Sequence, residues 1–307
     1  MDRKQKVTLA LFSLLLAIQP GWNTIQQYTL HPGVPQYQES PIAIPTEATI
    51  PVPKNSRKSA LTAKAAIVID VESGAILYEK NPDVQLYPAS LTKLMTALVA
   101  LDTYPLDREI TVREESQAIG NTIKLQQGEV VTVQNLLKGL LIASGNDAAF
   151  TLANAHPAGY EGFIQKMNEK AKDFHMDHTV YQNASGVEQT GHLTTVRDMA
   201  TLTKEAMKIP FVRETVKTRT FTITDTSGKI VHQLLSTNKL LGVVDGIEGV
   251  KTGWTTDAGE CLITQTTRNG HTIITVVLGS QDRFGESATL ISWAFTQFGW
   301  KHYRFDD

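Results

Sequence analysis

The sequence predicts a mixed α/β fold of the α+β kind: an antiparallel sheet built from both ends of the folded chain, flanked by helices, with a helical subdomain inserted between. Three observations carry this expectation. A β-branched hairpin pattern opens the folded part, two strand patterns joined by a turn signal lie near its end, and the long apolar-periodic stretches between them have helical spacing.

Taken in order, Ala65–Asp70 is a β-branched run, Ser73-Gly74 supplies a turn, and Ala75–Tyr78 reads as the returning strand. From Ser90 the spacing becomes helical, with Leu94, Leu98 and Leu101 on one face. Further helices are expected at Val133–Ile142, Asp147–Ala155, Gly162–Phe174 and Asp198–Met207. Strand signals return at Thr220–Thr224, Cys261–Thr266 and Thr272–Leu278, the last two separated by the turn Arg268-Asn269-Gly270. A helix at about Ser287–Phe298 closes the chain, and neither an internal repeat nor a heptad array is evident.

Composition bounds the possibilities. A chain of 307 residues, 41% hydrophobic and 20% charged, can bury one sizeable core or two modest ones. A formal charge of -2 and the lack of a basic block beyond the first few positions exclude a nucleic-acid footprint. The single cysteine, Cys261, lies in an apolar stretch and reads as a small buried hydrophobe. Arg3, Lys4 and Lys6 precede the uncharged run Val7–Ile18, so residues 1–20 are expected to be a signal peptide or an N-terminal membrane anchor. The run is shorter than the roughly 20 residues of a full span, and whether it is cleaved or retained stays open. Seven of the 12 prolines fall between Pro20 and Pro53, so residues 21–58 are expected to be a flexible Pro-rich linker and 59–307 the compact domain.

Three short motifs could carry chemistry. A serine three residues before a lysine occurs twice, at Ser90-Leu91-Thr92-Lys93 and Ser236-Thr237-Asn238-Lys239. Ser90 follows Pro88-Ala89 and opens a long helix, so Ser90 and Lys93 lie one turn apart on one face. A serine hydroxyl needs a base to become a nucleophile, and a lysine in a dry cleft among other cations can serve as one. Ser236 precedes only a short segment and reads as a turn. The second motif, Ser144-Gly145-Asn146, offers a hydroxyl and an amide at a bend. The third, Lys251-Thr252-Gly253, is no phosphate loop, because Val250 stands where the glycine before the lysine should be. On a strand edge it offers a cation and a hydroxyl to a carboxylate, with a glycine that admits a substrate backbone.

Together, in this order and spacing, the motifs resemble those of the penicillin-interacting, serine β-lactamase-like superfamily. Ser144-Gly145-Asn146, Asn183-Ala184-Ser185-Gly186-Val187 and Glu248-Gly249-Val250-Lys251-Thr252-Gly253-Trp254-Thr255 look like the D-alanyl-D-alanine carboxypeptidase branch, low-molecular-mass penicillin-binding proteins, over about residues 60 to 298. The resemblance implies a serine β-lactamase/DD-peptidase-like catalytic domain that removes the terminal D-Ala of peptidoglycan stem pentapeptides through an acyl-enzyme and is acylated by penicillin. It implies that Ser90 attacks, Lys93 accepts its proton, Ser144 relays a proton to the departing D-alanine, and Asn146 holds the substrate amide. Lys251 and Thr252 would take the terminal carboxylate, Gly253 would admit the substrate, and the Ser90 and Trp254 amides would form the oxyanion hole. Arg283, in the turn before the last helix, would help hold the carboxylate.

Departures narrow this. The Glu-x-x-Leu-Asn segment with which class A β-lactamases activate water is absent between Asp147 and Ala200, so efficient β-lactam hydrolysis is not expected. Trp254 is bulkier than the usual residue at its position. His175-Met176-Asp177-His178 lacks a third ligand at a metal spacing, and Asn183-Ala184-Ser185, though it matches a glycosylation acceptor, is expected to be a structural turn. No cofactor is expected. The expected partners are a stem peptide ending in D-Ala-D-Ala, β-lactams as covalent inhibitors, and the membrane through the N-terminal segment, at the extracytoplasmic face or secreted to the cell envelope. The same serine in a D,D-endopeptidase of cross-links, or a non-hydrolytic β-lactam sensor, are the alternatives.

Overall fold

The computed structural model describes residues 47–54, 60–114 and 120–304. The signal or anchor expected at residues 1–20 lies outside them. Ala65–Asp70 (β2) and Ile76–Lys80 (β3) form the expected hairpin, and Gly259–Arg268 (β9) and His271–Ser280 (β10) form the second. Ile247–Thr255 (β8) completes a five-stranded antiparallel sheet in the order β3-β2-β10-β9-β8. The Lys251 motif therefore sits on an edge strand, with one side of its backbone unpaired by the sheet.

Both faces of this sheet are covered, which explains why β2 is apolar at successive positions rather than alternate ones. Ala65, Ile67, Ile274 and Val276 point into the main core, while Ala66, Val68, Ile273 and Val277 pack on Leu290, Ile291 and Ala294 of the last helix, Arg283–Gln297. That helix begins four residues earlier than expected because the Asp282 carboxylate caps it, accepting the Gly285 N–H at 2.9 Å.

The helical subdomain follows the expected spacing. A 3-10 turn at Ala89–Thr92 leads into α1, Lys93–Thr103; then come α2, Val133–Ile142, α3, Asn146–Asn154, α4, Gly159–Asp173, α5, Val196–Ala206, and α6, Pro210–Val216, with the Arg283–Gln297 helix as α7. Residues Lys93 to Ala100 of α1 are all buried, so α1 is a central rod with neighbours all round. Glu109–Thr111 (β4) pairs with Val130–Thr132 (β5), and Thr220–Thr224 (β6) with Val231–Leu235 (β7), as small hairpins at the subdomain's margin.

The compact domain begins before Ser59, which corrects the linker boundary. Glu47–Pro53 (β1) pairs antiparallel with Phe298–Arg304 (β11), a strand that begins where the last helix was expected to end. Prolines deceive here: Pro51 and Pro53 are two residues apart, so their missing N–H groups fall on one edge of a two-stranded ribbon, where proline is tolerated. Trp300 of β11 donates its indole N–H to Asp70 Oδ1 at 2.7 Å, tying the ribbon to the end of β2.

The segment Asn183–Val187 packs against the 3-10 turn. A Cβ on Gly186, whose φ is +83°, would meet the Ala89 carbonyl oxygen at 1.8 Å. Gly186→Ala should cost about 2–4 kcal/mol through backbone strain and overpacking. Gly228→Ala, at a φ of +73° with open space around it, should cost only about 1 kcal/mol. Urea unfolding of the two variants measures the difference.

Candidate active site

The cleft between β8 and the helical subdomain has a volume of about 470 Å3. Of the nine residues expected at the site, Ser90, Ser144, Asn146, Thr252, Gly253, Trp254 and Arg283 line it directly, and Lys93 and Lys251 stand immediately behind Ser90 and Ser144.

Ser90 lies in the 3-10 turn rather than in a regular helix, after Ala89 with its φ of +48°. Lys93 is the first residue of α1 and fully buried; its Nζ donates to Ser90 Oγ at 2.8 Å and to the Ser185 carbonyl at 2.6 Å. Thr92 supports the turn, donating to the Ala89 carbonyl at 2.8 Å while its hydroxyl meets His192 Nε2 at 2.8 Å. His192 Nδ1 accepts the Gln182 N–H, and burial, with the Lys93 charge nearby, pushes the ring down to about 4, so it stays neutral.

Ser144 occupies the left-handed region, φ +60°, between α2 and α3, and accepts a hydrogen bond from Lys251 Nζ at 2.7 Å. Asn146 opens α3, and its N–H donates to the Asn121 carbonyl at 2.7 Å. The buried Asp147 carboxylate accepts the Ile123 N–H at 3.1 Å, the Leu125 N–H at 3.0 Å and the Ala148 N–H at 2.9 Å. It thereby fixes the loop that carries Gly120 and Asn121 into the cleft wall.

On β8, Gly253 is the point of closest approach: a Cβ there would lie 3.1 Å from the Ser90 nitrogen. Glycine thus brings the edge strand beside the Ser90 amide. The Thr252 hydroxyl meets the Thr237 hydroxyl at 2.6 Å, and Trp254 projects outward at the mouth, 61% exposed. Arg283 is not in a turn but is the first residue of α7, where it donates to the Gly253 carbonyl at 2.7 Å.

The electrostatics follow from burial. Desolvation first, then the Lys251 charge, holds the Lys93 ammonium well below the ordinary lysine range, against an opposing pull from Asp147. Desolvation, with Arg283 nearby, pushes Lys251 down to about 7. A neutral amine 2.8 Å from a serine hydroxyl can take its proton.

Sequence reasoning missed Ser185, Thr237, Asn121 and Glu188, all of which line the cleft. Thr237 lies inside the second Ser-x-x-Lys, which draws attention to its serine instead. Asn183 is a structural turn residue: its Oδ1 accepts the Gly186 N–H at 2.8 Å and its Nδ2 donates to the Val187 carbonyl at 3.0 Å. Cys261 is buried, and burial pushes its thiol up to about 11.

A Ser-Lys pair at the junction of an antiparallel sheet and a helical subdomain, faced by a second buried Ser-Lys pair, defines the class of active-site-serine acyl-transfer proteins. The chain belongs to the D-alanyl-D-alanine carboxypeptidase family, which it matches over residues 52–282. It is 34% identical over 254 residues to D-alanyl-D-alanine carboxypeptidase DacF of Bacillus subtilis, covering 80% of this chain and 65% of that one. Against DacC of Escherichia coli it is 34% identical over 275 residues, covering 84% and 66%. The chain thus spans about two thirds of the length of these relatives. A D-alanyl-D-alanine endopeptidase of Pseudomonas aeruginosa is 32% identical over 243 residues, 77% of this chain and 78% of that one. Among solved structures, the Streptomyces K15 DD-transpeptidase superposes with a TM-score of 0.75 at 30% identity, covering 78% of this chain and all of that one. The fold is therefore the serine β-lactamase/DD-peptidase-like one. The ampicillin-bound penicillin-binding protein D2 of Listeria monocytogenes gives 0.69 at 32% identity, with 78% of this chain and all of that one covered.

The two lysines predict a bell-shaped pH profile. Acylation by penicillin should rise with pH as Lys93 loses its proton, and kcat/KM should fall as Lys251 loses its own through about 7. Arg283→Ala removes the repulsion that lowers Lys251, so the alkaline limb should move to higher pH. Stopped-flow acylation from about pH 5 to about pH 10 measures both limbs.

Proposed function

We propose that this protein is a serine-type D-alanyl-D-alanine carboxypeptidase that removes the terminal D-Ala of peptidoglycan stem pentapeptides and is acylated by β-lactams. The observation that carries the reading is the pair of buried contacts Lys93–Ser90 and Lys251–Ser144 facing one cleft beside an open strand edge. An edge strand accepts a peptide as an additional strand, and Lys251 with Thr252 attracts a carboxylate at one end of it.

In the proposed reaction Ser90 Oγ attacks the carbonyl carbon of the penultimate D-alanine while Lys93 takes the hydroxyl proton. The oxyanion is held by the Ser90 and Trp254 N–H groups, a contribution of about 3 kcal/mol per donor. Ser144 passes its proton to the departing nitrogen and takes a replacement from Lys251, the C–N bond breaks, and D-alanine leaves. Water then attacks the Ser90 ester, its proton restoring Lys251 while Lys93 returns its proton to Ser90 Oγ, giving the shortened peptide and free enzyme. Asn146 holds the substrate amide, Gly253 leaves room for the substrate backbone, and Arg283 braces β8 through the Gly253 carbonyl. No step calls for a cofactor. Action at the extracytoplasmic face or in the cell envelope, with attachment through the N-terminal segment, accords with the basic-then-apolar run at Arg3–Ile18.

The endopeptidase reading has a specific support, since the Pseudomonas aeruginosa endopeptidase is matched over more of its length than DacF is. Release of D-alanine from a pentapeptide, compared with cleavage of cross-linked dimers, separates the two.

Ser90→Ala should abolish both labelling by a fluorescent penicillin and D-alanine release. Lys93→Ala should slow acylation by about 10³-fold, the scale of a lost general base. Labelling that survives Ser90→Ala would overturn the assignment of the nucleophile.

A further inference from the structure

The cleft carries a charge that the proposed reaction does not use. Among the described residues that line it, Glu188 is the one carboxylate. Its Oε1 accepts the Asp257 N–H at 2.7 Å, and it is also bonded by the Thr255 side chain, so it stands beside the turn between β8 and β9. Those two bonds hold its carboxyl below the usual range. They also hold it in place, while a carboxylate with about four acceptor sites keeps capacity for another donor.

Position along β8 gives this charge a meaning. The carboxylate-attracting end of the strand is Lys251–Thr252, and Ser90 abuts Gly253. A peptide whose C-terminal carboxylate is anchored at Thr252 and whose penultimate carbonyl faces Ser90 must run antiparallel to β8, past Trp254 toward Thr255. Thr255 lies three residue steps along the strand from Thr252, about 10 Å at about 3.3 Å each. On the peptide, the residue two places before the terminal D-alanine lies about 7 Å from it. A long side chain on that residue reaches the Glu188 end of the cleft.

We infer that Glu188 is a specificity-determining residue that favours stem peptides with a cationic amine on the side chain two places before the terminal D-alanine. The inference rests on the D-alanyl-D-alanine reading above, which sets the direction of the peptide. It concerns a contact distant from the scissile bond, on the side of the substrate that stays on the enzyme as the acyl group.

The test uses the full chain and two peptides, Nα-acetyl-Lys-D-Ala-D-Ala with a free ε-amine and its Nα,Nε-diacetyl counterpart. Each is measured as a competitor of fluorescent-penicillin acylation and as a source of D-alanine. Wild type should favour the free amine by about five-fold, the upper range for an exposed ion pair, and the preference should shrink with added salt. Glu188→Gln, whose amide oxygen can still accept the Asp257 N–H, should bring the ratio to about one, and Glu188→Lys should bring it below one; penicillin labelling of each variant certifies a folded site. A wild-type ratio of one, or a preference unchanged in Glu188→Gln, overturns the inference. Competition that shows the preference without D-alanine release would instead sink the carboxypeptidase reading and leave Glu188 as a binding determinant.

Discussion

Two lysines buried from solvent are the constraint on which the rest of the site depends. Lys93 and Lys251 are both essentially inaccessible, and burial first, with repulsion from Lys251 second, holds the Lys93 ammonium well below the ordinary lysine range. Burial therefore does chemical work that residue identity alone does not. It gives Lys93 the property that the proposed reaction needs in a base. The apolar packing of α1 and the covered face of the sheet keep water from relieving this repulsion.

The fold places that constraint at a seam. Ser90 and Lys93 come from the start of the central helix, Ser144 from the bend between α2 and α3, and Lys251 from the edge strand of the sheet. Ala89 and Ser144 both have positive φ without being glycine, a local cost held in place by dense surroundings. Those surroundings are visible: the Asn183–Val187 turn presses on Ala89, and the Asp147 carboxylate grips the backbone of the loop opposite. The free edge of β8 lies beside the two serines, so a peptide can be read by its main chain before its side chains.

The central strands and the helices other than Pro210–Val216, which was not expected, were legible because their physics is local. Val133–Ile142 and Ala65–Asp70 show their period or their β-branched run directly, and tertiary packing left their boundaries alone. β1 was not legible, since Pro51 and Pro53 look like a tether until a partner strand is known. Its partner lies about 250 residues away, and no local pattern encodes such a pairing. The same reason hid β11, whose partner is β1.

The sequence by itself determined which residues are candidates for the chemistry: three motifs, with the glycine and proline context around them, single out Ser90, Lys93, Ser144, Asn146 and Lys251. Only the tertiary structure decided how they are arranged. It brought Lys251 to 2.7 Å from Ser144 across 107 residues, lent Lys93 the carbonyl of Ser185, and set Thr237 against Thr252. It also placed Glu188 at the far end of the cleft from the carboxylate anchor. Desolvation and Coulomb repulsion depend on distance in space and on the exclusion of water, and neither quantity exists until the chain has folded.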